Sequence, residues 1–401
     1  MTFRFALGTT QVLTAAAAVC ALAACGGGGP SGTMGAPSST AVSPGAATAP
    51  AMADLRQFAA ADRAQDDADR ADTTADVPRL QHIKTIGSTV DPQNGDQNPY
   101  GLDVAKVDAG LLRSGDLVVC NFNNAANVQG TGTTIIALHP HPKAAPLRIA
   151  QNAALLGCDA LALAPSDTIW AAAFAANDNP LVSSSGALIN ALAGGPWHGP
   201  FGETFAPAHT PFVAAFYASN AGDGSIVRIN IRPTGFTFDV IATGFAVNGG
   251  APGSILGPSG LQYDNQRDAL YVIDGADNSV TVLRHVSFIP AGALAFKNGV
   301  PTGVAAFLVR RIIQGAPLNG PISSALLPDG HLVIGNTLDP TGTNLLVEIT
   351  RAGRVVATKN VDTGAAGALF GMVATGSVEV ALLYFNDDND NTVKVLTVDD
   401  N

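Results

Sequence analysis

The sequence predicts an all-β protein folded as a β-propeller of about six four-stranded blades, in which an N-terminal strand closes the last blade. Three observations predict this architecture. Residues 79–401 consist of short apolar or alternating runs broken by Gly, Asn and Asp, a pattern typical of closely spaced strands. These runs recur with a period of roughly 35 to 50 residues. The chain also combines 44 Gly and 25 Pro with only 13% charged residues, which favours strands and turns over amphipathic helices.

The first 24 residues are predicted to be an export signal. Arg4 supplies a positive charge, and residues 5–24 are uncharged and rich in alanine. The following stretch, Leu22-Ala23-Ala24-Cys25, resembles the lipobox of bacterial lipoproteins, in which the cysteine thiol receives a diacylglyceryl group. This resemblance implies lipidation of Cys25, and Gly26 after it favours the outer membrane as the destination. An ordinary secretory peptide or an uncleaved apolar helix is the alternative.

Residues 25–78 are predicted to form a disordered tether between the lipid anchor and the propeller. The segment is mainly Gly, Pro, Ser, Thr, Ala and Asp, and has too few bulky apolar residues to offset its ordering entropy. Leu55 and Phe58 could support a short helix within residues 54–76, but a solvated, marginal segment is the expectation.

The repeat is clearest over residues 257–283, where a Pro-x-Gly entry strand is followed by the apolar strand ALYVID, an Asx turn and a third strand. Similar units begin at residues 98, 156, 212, 320 and 368. The last unit has three evident strands, whereas the apolar run 79–87 precedes the first unit without a partner. We therefore predict that this run completes the last blade and removes its open edge.

This pattern resembles the NHL-repeat and related six-bladed propellers over nearly the whole span after Pro78. In such blades the loops that enter the first strands and the turns that follow the second strands lie on one face of the ring. That face is the predicted binding face. Its candidate residues are Tyr100, Asn121, Phe122, Asn123, Asn177, Asn220, Asp274, Asn336, Asn386 and Asp387.

Two cysteines remain in the predicted propeller. Cys120 ends a second strand and Cys158 begins the next first strand, so both are predicted near the same face of adjacent blades. A disulfide needs Cα atoms within about 7 Å, which this topology permits. Two buried, unpaired thiols are the alternative.

Charge and motifs restrict the function. The net charge of −11 opposes binding to nucleic acid. No nucleophile elbow or phosphate loop is present in the sequence. His139 and His141 lack an evident third metal ligand, and the Asn/Asp run 386–391 is interpreted as a turn. The Gly- and Pro-rich segment 194–205 is interpreted as an irregular insertion between blades that could shape a binding rim.

The favoured hypothesis is an exported, lipid-anchored scaffold that binds a protein, glycan or small-molecule ligand without catalysis and needs no cofactor. The alternative is a metal-dependent hydrolase. This hypothesis comes from another branch of six-bladed propellers, the gluconolactonase and regucalcin-like lactonases, and membership of that branch would imply a channel cation such as Ca²⁺ held by Glu, Asn and Asp side chains. Asn121, Asp274, Asn336 and Asp387 are candidate ligands, but the predicted first strands contain no glutamate.

Overall fold

The computed structural model describes residues 52–209, 211–362, 364 and 367–398. The predicted export signal, Cys25 and the first part of the predicted tether lie outside these residues. Within the described part of the chain, no helix has the length and apolar character needed to cross a bilayer.

The chain forms six consecutive β-sheets, which confirms the predicted six-bladed propeller. Helix α1 (Met52–Ala71) and strand β1 (His82–Ser88) come first. Blade 1 comprises β2 (Gln97–Val104), β3 (Leu117–Asn123), β4 (Thr134–Leu138) and β5 (Leu147–Gln151). Blade 2 comprises β6 (Cys158–Leu163), β7 (Ile169–Ala173), β8 (Leu181–Val182) and β9 (Leu188–Asn190). Blade 3 comprises β10 (Pro200–Ala206), β11 (Ala215–Asn220), β12 (Ser225–Arg232) and β13 (Gly235–Thr243).

The second half of the ring follows the same order. Blade 4 begins with β14 (Pro258–Asp264), β15 (Ala269–Asp274) and β16 (Ser279–Arg284). A hairpin of β17 (Leu294–Lys297) and β18 (Val300–Thr302) then precedes its last strand, β19 (Val309–Gln314). Blade 5 comprises β20 (Ser323–Leu326), β21 (Leu332–Gly335), β22 (Asn344–Ile349) and β23 (Val355–Asp362). Blade 6 comprises β24 (Met372–Gly376), β25 (Ala381–Asp387) and β26 (Thr392–Thr397).

Strand β1 supplies the fourth strand of blade 6. It pairs antiparallel with β26, from His82 opposite Thr397 to Ser88 opposite Thr392. The start and the end of the ring are therefore held in one sheet, which pairs the edge that β26 would otherwise expose.

The irregular segment of the ring is not the predicted one. Residues 200–205, interpreted from the sequence as part of an insertion, belong to β10, the innermost strand of blade 3. The insertion instead lies between β16 and β19, where the hairpin β17–β18 leaves blade 4. Strand β17 pairs in parallel with β13 of blade 3, with Ala242 opposite Leu294. This hairpin links the outer edges of two adjacent blades.

The glycines of the repeated Pro-x-Gly pattern allow the inner strands to approach one another. A Cβ atom on Gly202 would lie 2.1 Å from the backbone oxygen of Ser259 in the next blade. A Cβ atom on Gly371 would lie 2.3 Å from the backbone oxygen of Tyr100. Because neither distance leaves room for a methyl group, the inner strands can approach this closely only with glycine at these positions.

The core lies between the blades, as the apolar second strands predict. All seven residues of β3 and all six of β15 are buried, because each sheet packs against a neighbour on both faces. Cys120 and Cys158 form a disulfide between blades 1 and 2, with Cα atoms 5.5 Å apart.

Helix α1 differs from the predicted tether. It lies against blade 4 through ion pairs made by one acidic face. The pairs join Asp66 to Arg284 and Arg310, Asp69 to Arg267, and Asp62 to Arg284 and His285. Leu55 is buried in the same contact. Sequence composition does not reveal this docking, because the partners that hold the segment lie about two hundred residues away in the chain.

The segment after α1 is also fixed to the propeller. The fully buried carboxylate of Glu348 accepts hydrogen bonds from the backbone N–H groups of Asp76, at 3.0 Å, and Val77, at 2.9 Å. His331 lies 3.0 Å from the same carboxylate through Nδ1 and 3.3 Å from Asp72 through Nε2. Blade 5 therefore holds the chain just before β1 begins.

Candidate functional site

The inner strands of all six blades line a narrow central channel with a cavity of about 70 Å³. Most of its lining is apolar or glycine, as expected where six strands meet. Two carboxylates interrupt this lining, Asp159 on β6 and Glu203 on β10. They belong to adjacent blades, so the channel has one acidic side.

Asp159 and Glu203 are buried without the partners that buried carboxylates normally have. Asp159 is 4% exposed and Glu203 8%. Within the described residues, none of their four carboxylate oxygens makes a hydrogen bond of normal geometry. Asn179 is fully buried, and its side-chain amide oxygen and nitrogen also lack a hydrogen bond of normal geometry to the described residues. Since buried polar groups are nearly always paired, this concentration of unsatisfied atoms marks the channel as a candidate site.

The protonation of the two carboxylates reflects this environment. Burial raises the pKa of Glu203 well above its usual value of 4.5, and the nearby Asn179 amide only partly opposes the effect. Burial likewise raises the pKa of Asp159 well above 3.8; neighbouring backbone amides oppose this, and the charge of Glu203 adds to it. Burial therefore favours the protonated, neutral forms of both carboxyl groups.

Aromatic rings cover the channel next to Asp159. Tyr100 stacks between Phe122, with ring centroids 4.2 Å apart, and Phe370, at 3.7 Å. Asp388 lies close enough to Tyr100 for its charge to raise the tyrosine pKa, after the larger effect of burial. Burial and then the charge of Asp387 raise the pKa of Asp388 to about 8. This end of the channel thus combines an apolar cover with further carboxyl groups.

The predicted binding face is largely occupied by internal hydrogen bonds. In four blades, an Asn or Asp at the end of the second strand holds the loop that enters the first strand. Asn220, for example, donates to the backbone oxygen of Pro196 at 2.8 Å and accepts from the backbone N–H of His198 at 3.1 Å. The four residues are Asn121, Asn220, Asp274 and Asn336.

The other polar residues of that face also have structural partners. Asn177 bonds the backbone of Trp197 and Gly199 at the entrance to blade 3. Asn386 donates to the backbone oxygens of Tyr100 and Gly101, both at 3.1 Å, and so joins blade 6 to blade 1. Asn123 stabilises its own turn through Asn127 and Gly130, and the ammonium group of Lys394 contacts Asp387.

The structure therefore separates the predicted residues from the channel carboxylates. Of the ten, only Asn177 is exposed, and Tyr100 alone lines the channel. Burial and then the charge of Asp277 raise the pKa of Asp274 to about 7, although two backbone N–H groups bond its carboxylate. The sequence predicts that these side chains face a ligand. In the structure, the Asx residues instead bond the loops of the propeller.

Sequence reasoning missed both channel carboxylates. Glu203 was overlooked because its Gly- and Pro-rich segment was interpreted as an insertion. The stretch Pro200-Phe201-Gly202 nevertheless repeats the Pro-x-Gly signature of Pro258-Ser259-Gly260, and this match could have identified an inner strand. Strand β10 thus supplies a glutamate in an entry strand, which the predicted first strands lack.

A second group of possible metal ligands lies away from the channel. This group consists of Asp329, His331 and Glu348. Their ligand atoms lie within 4.8 Å of one another, and no other such group of three or more His, Cys, Asp or Glu side chains is found among the described residues. Glu348 already accepts hydrogen bonds from two backbone N–H groups and contacts His331. This group serves to hold the segment after α1.

Comparison with known proteins finds similarity to solved structures only. No protein family model matches the chain, and no curated protein matches it significantly. Among solved structures, a catalytically inactive virginiamycin B lyase from Staphylococcus aureus with quinupristin shares 14% identity at a TM-score of 0.47, covering 79% of this chain and 99% of its own. A streptogramin B lyase structure shares 14% identity at a TM-score of 0.47, and the match covers 80% of this chain and 88% of that chain.

Proposed function

We propose that this protein is a lipid-anchored envelope propeller that binds a positively charged ligand in its central channel. The observation that carries the proposal is the pair of buried carboxylates, Asp159 and Glu203, together with the unsatisfied Asn179 amide. Burying such groups without partners costs several kcal/mol in total. A ligand that supplies positive charge would recover this cost at the moment of binding.

The ligand is best represented by a hard divalent cation such as Ca²⁺. Carboxylate and amide oxygens are the donors such ions prefer, and the two carboxylates would neutralise the charge. A cavity of about 70 Å³ has room for an ion and little else. A protein or glycan partner would then contact the rim of the ring, whose loops the Asx residues hold in place.

Export and anchoring complete the proposal. A lipid on Cys25 would place the propeller at the cell envelope, with the outer membrane as the favoured site. A Cys25→Ser variant is expected to leave the membrane fraction, as detected by fractionation and immunoblotting. A variant that stays in the membrane fraction unchanged would contradict the lipid anchor without touching the channel proposal. The net charge of −11 argues against nucleic acid as a partner.

A metal-dependent hydrolase is the second candidate, and Glu203 favours it. The gluconolactonase-like alternative requires a glutamate on an inner strand, and Glu203 lies on β10. A cation held by Glu203 and Asp159 would polarise the carbonyl of a lactone or ester that reaches it from the channel mouth. A substrate screen with the Ca²⁺-loaded protein separates this candidate from the binding scaffold.

The test of the channel site is cation binding by the full chain, measured by isothermal titration with Ca²⁺ and by elemental analysis. We expect one equivalent of Ca²⁺ in the wild type and none in a Glu203→Gln variant. Glu379→Gln is the matched control, because Glu379 is exposed on blade 6. Absence of Ca²⁺, Mg²⁺ and Zn²⁺ binding, or equal binding by the two variants, would contradict the proposal.

A further inference from the structure

A second cavity, of about 740 Å³, lies between helix α1 and the outer part of blade 4. Its most notable feature is its charge. Five arginines line it, against two carboxylates, Asp66 and Asp67; the arginines are Arg56, Arg63, Arg70, Arg284 and Arg310. The whole chain has only 21 Lys and Arg residues and a net charge of −11. A positive groove in such an acidic protein points to an anionic ligand.

The three helix arginines share one side of α1. They follow one another at intervals of seven residues, which is close to two helical turns. All three are exposed, and they flank the acidic face through which α1 contacts blade 4. Docking of the helix therefore places this row of guanidinium groups along the edge of the groove.

Only part of the positive charge is neutralised inside the protein. Asp66 contacts both Arg284 and Arg310 and so fixes their position. Within the described residues, Arg56, Arg63 and Arg70 make no ion pair, and Arg56 lies 5.0 Å from the centre of the Phe307 ring. The groove thus combines free guanidinium groups with an apolar wall.

We propose that this groove binds a phosphate-bearing amphipathic anion. Guanidinium groups bind phosphate through paired hydrogen bonds, and several of them together match its double charge. The cavity volume falls in the range of about 300 to 1,000 Å³ that small-molecule sites occupy. Phe307 would contact the apolar part of such a ligand. A phospholipid headgroup and a soluble phosphate ester share this chemistry, and the proposal is independent of the channel site.

The test is calorimetric titration of the detergent-solubilised full chain with three probes: dihexanoyl phosphatidic acid, dihexanoyl phosphatidylcholine and glycerol 3-phosphate. We expect the phosphatidic acid to bind more tightly than the phosphatidylcholine. An Arg63→Gln variant should bind it roughly tenfold more weakly, since one charge-assisted contact is lost. Arg232→Gln, which removes an exposed arginine from blade 3, should bind as the wild type does.

The probes also distinguish the two sources of the phosphate. Tighter binding of phosphatidic acid than of glycerol 3-phosphate would assign the groove to a lipid headgroup, with its apolar wall contributing. Equal binding of the two would assign it to a soluble phosphate ester. Failure of both phosphate probes to bind, or equal losses in the Arg63→Gln and Arg232→Gln variants, would overturn the proposal.

Discussion

Replacing Glu203 with glutamine should stabilise the protein in the absence of cations, and more so as the pH rises. Burial raises the pKa of Glu203 well above 4.5. The folded protein therefore keeps a proton that the unfolded chain releases. Between the pKa of this group in the unfolded chain and its raised pKa in the folded protein, the free energy of unfolding of the wild type falls with pH. The slope is up to about 1.4 kcal/mol per pH unit for this one group. Glutamine has no proton to lose, so the variant should escape this loss.

The sign follows from the direction of the pKa shift. The contribution of Glu203 is fully present below pH 4.5, the usual value for glutamate. It is lost as the pH rises toward the pKa of the folded state. The two proteins should thus have similar stability near pH 4 and diverge progressively above it. Asp159 adds to the slope in the wild type, because its pKa is raised in the same direction.

The assay is urea denaturation in the presence of a chelator, monitored by circular dichroism at a series of pH values. The exposed Glu379→Gln variant is the control and should follow the wild type throughout. A Glu203→Gln variant that is less stable than the wild type at neutral pH would refute the reasoning. It would mean that the carboxylate is charged and paired in the folded state.

Three further outcomes are expected. Asp66→Asn should release α1 at a cost of roughly 1–3 kcal/mol, because one carboxylate holds two arginines. Amide hydrogen exchange should show lost protection confined to the helix, and unchanged protection would contradict the docking contact. Burial lowers the pKa of His331, but the hydrogen bond with Glu348 and nearby carboxylates raise it overall. Its stabilising contribution is thus complete below pH 6.5 and is lost as the pH rises through its folded pKa, which hydrogen exchange of residues 72–80 should reveal against a His331→Gln variant. Gly371→Ala should lower stability by about 1–3 kcal/mol, since the new methyl group would lie 2.3 Å from the backbone of Tyr100; an unchanged unfolding midpoint would show that the inner strands can separate there.

The fold could be predicted because its signals are local. Runs such as 269–274 are apolar on both faces and end in an Asx turn, which only a strand buried between two sheets explains. The closing strand could be inferred by counting, since the last blade lacked a strand and residues 79–87 lacked a blade. The pairing of β1 with β26 agrees with that count.

The candidate site could not be predicted in the same way. An asparagine at a strand end has the same sequence signature whether it binds a ligand or a loop, and Asn220 and Asn336 bind loops. Glu203 was hidden because glycine and proline around it are typical of irregular segments. The order of α1 depends on ion pairs such as Asp66 with Arg310, whose partners are distant in sequence.

The most direct test of the channel site is a crystal structure of the full chain soaked in Mn²⁺, which reports its position by anomalous scattering. We predict a single strong peak at Asp159 and Glu203, within about 2.0–2.6 Å of their oxygens, the range of Mg²⁺ and Ca²⁺ sites. Absence of this peak, with the two carboxyl groups hydrogen-bonded to each other or to water, would show that they are neutral structural groups. The channel would then have no role in binding a cation.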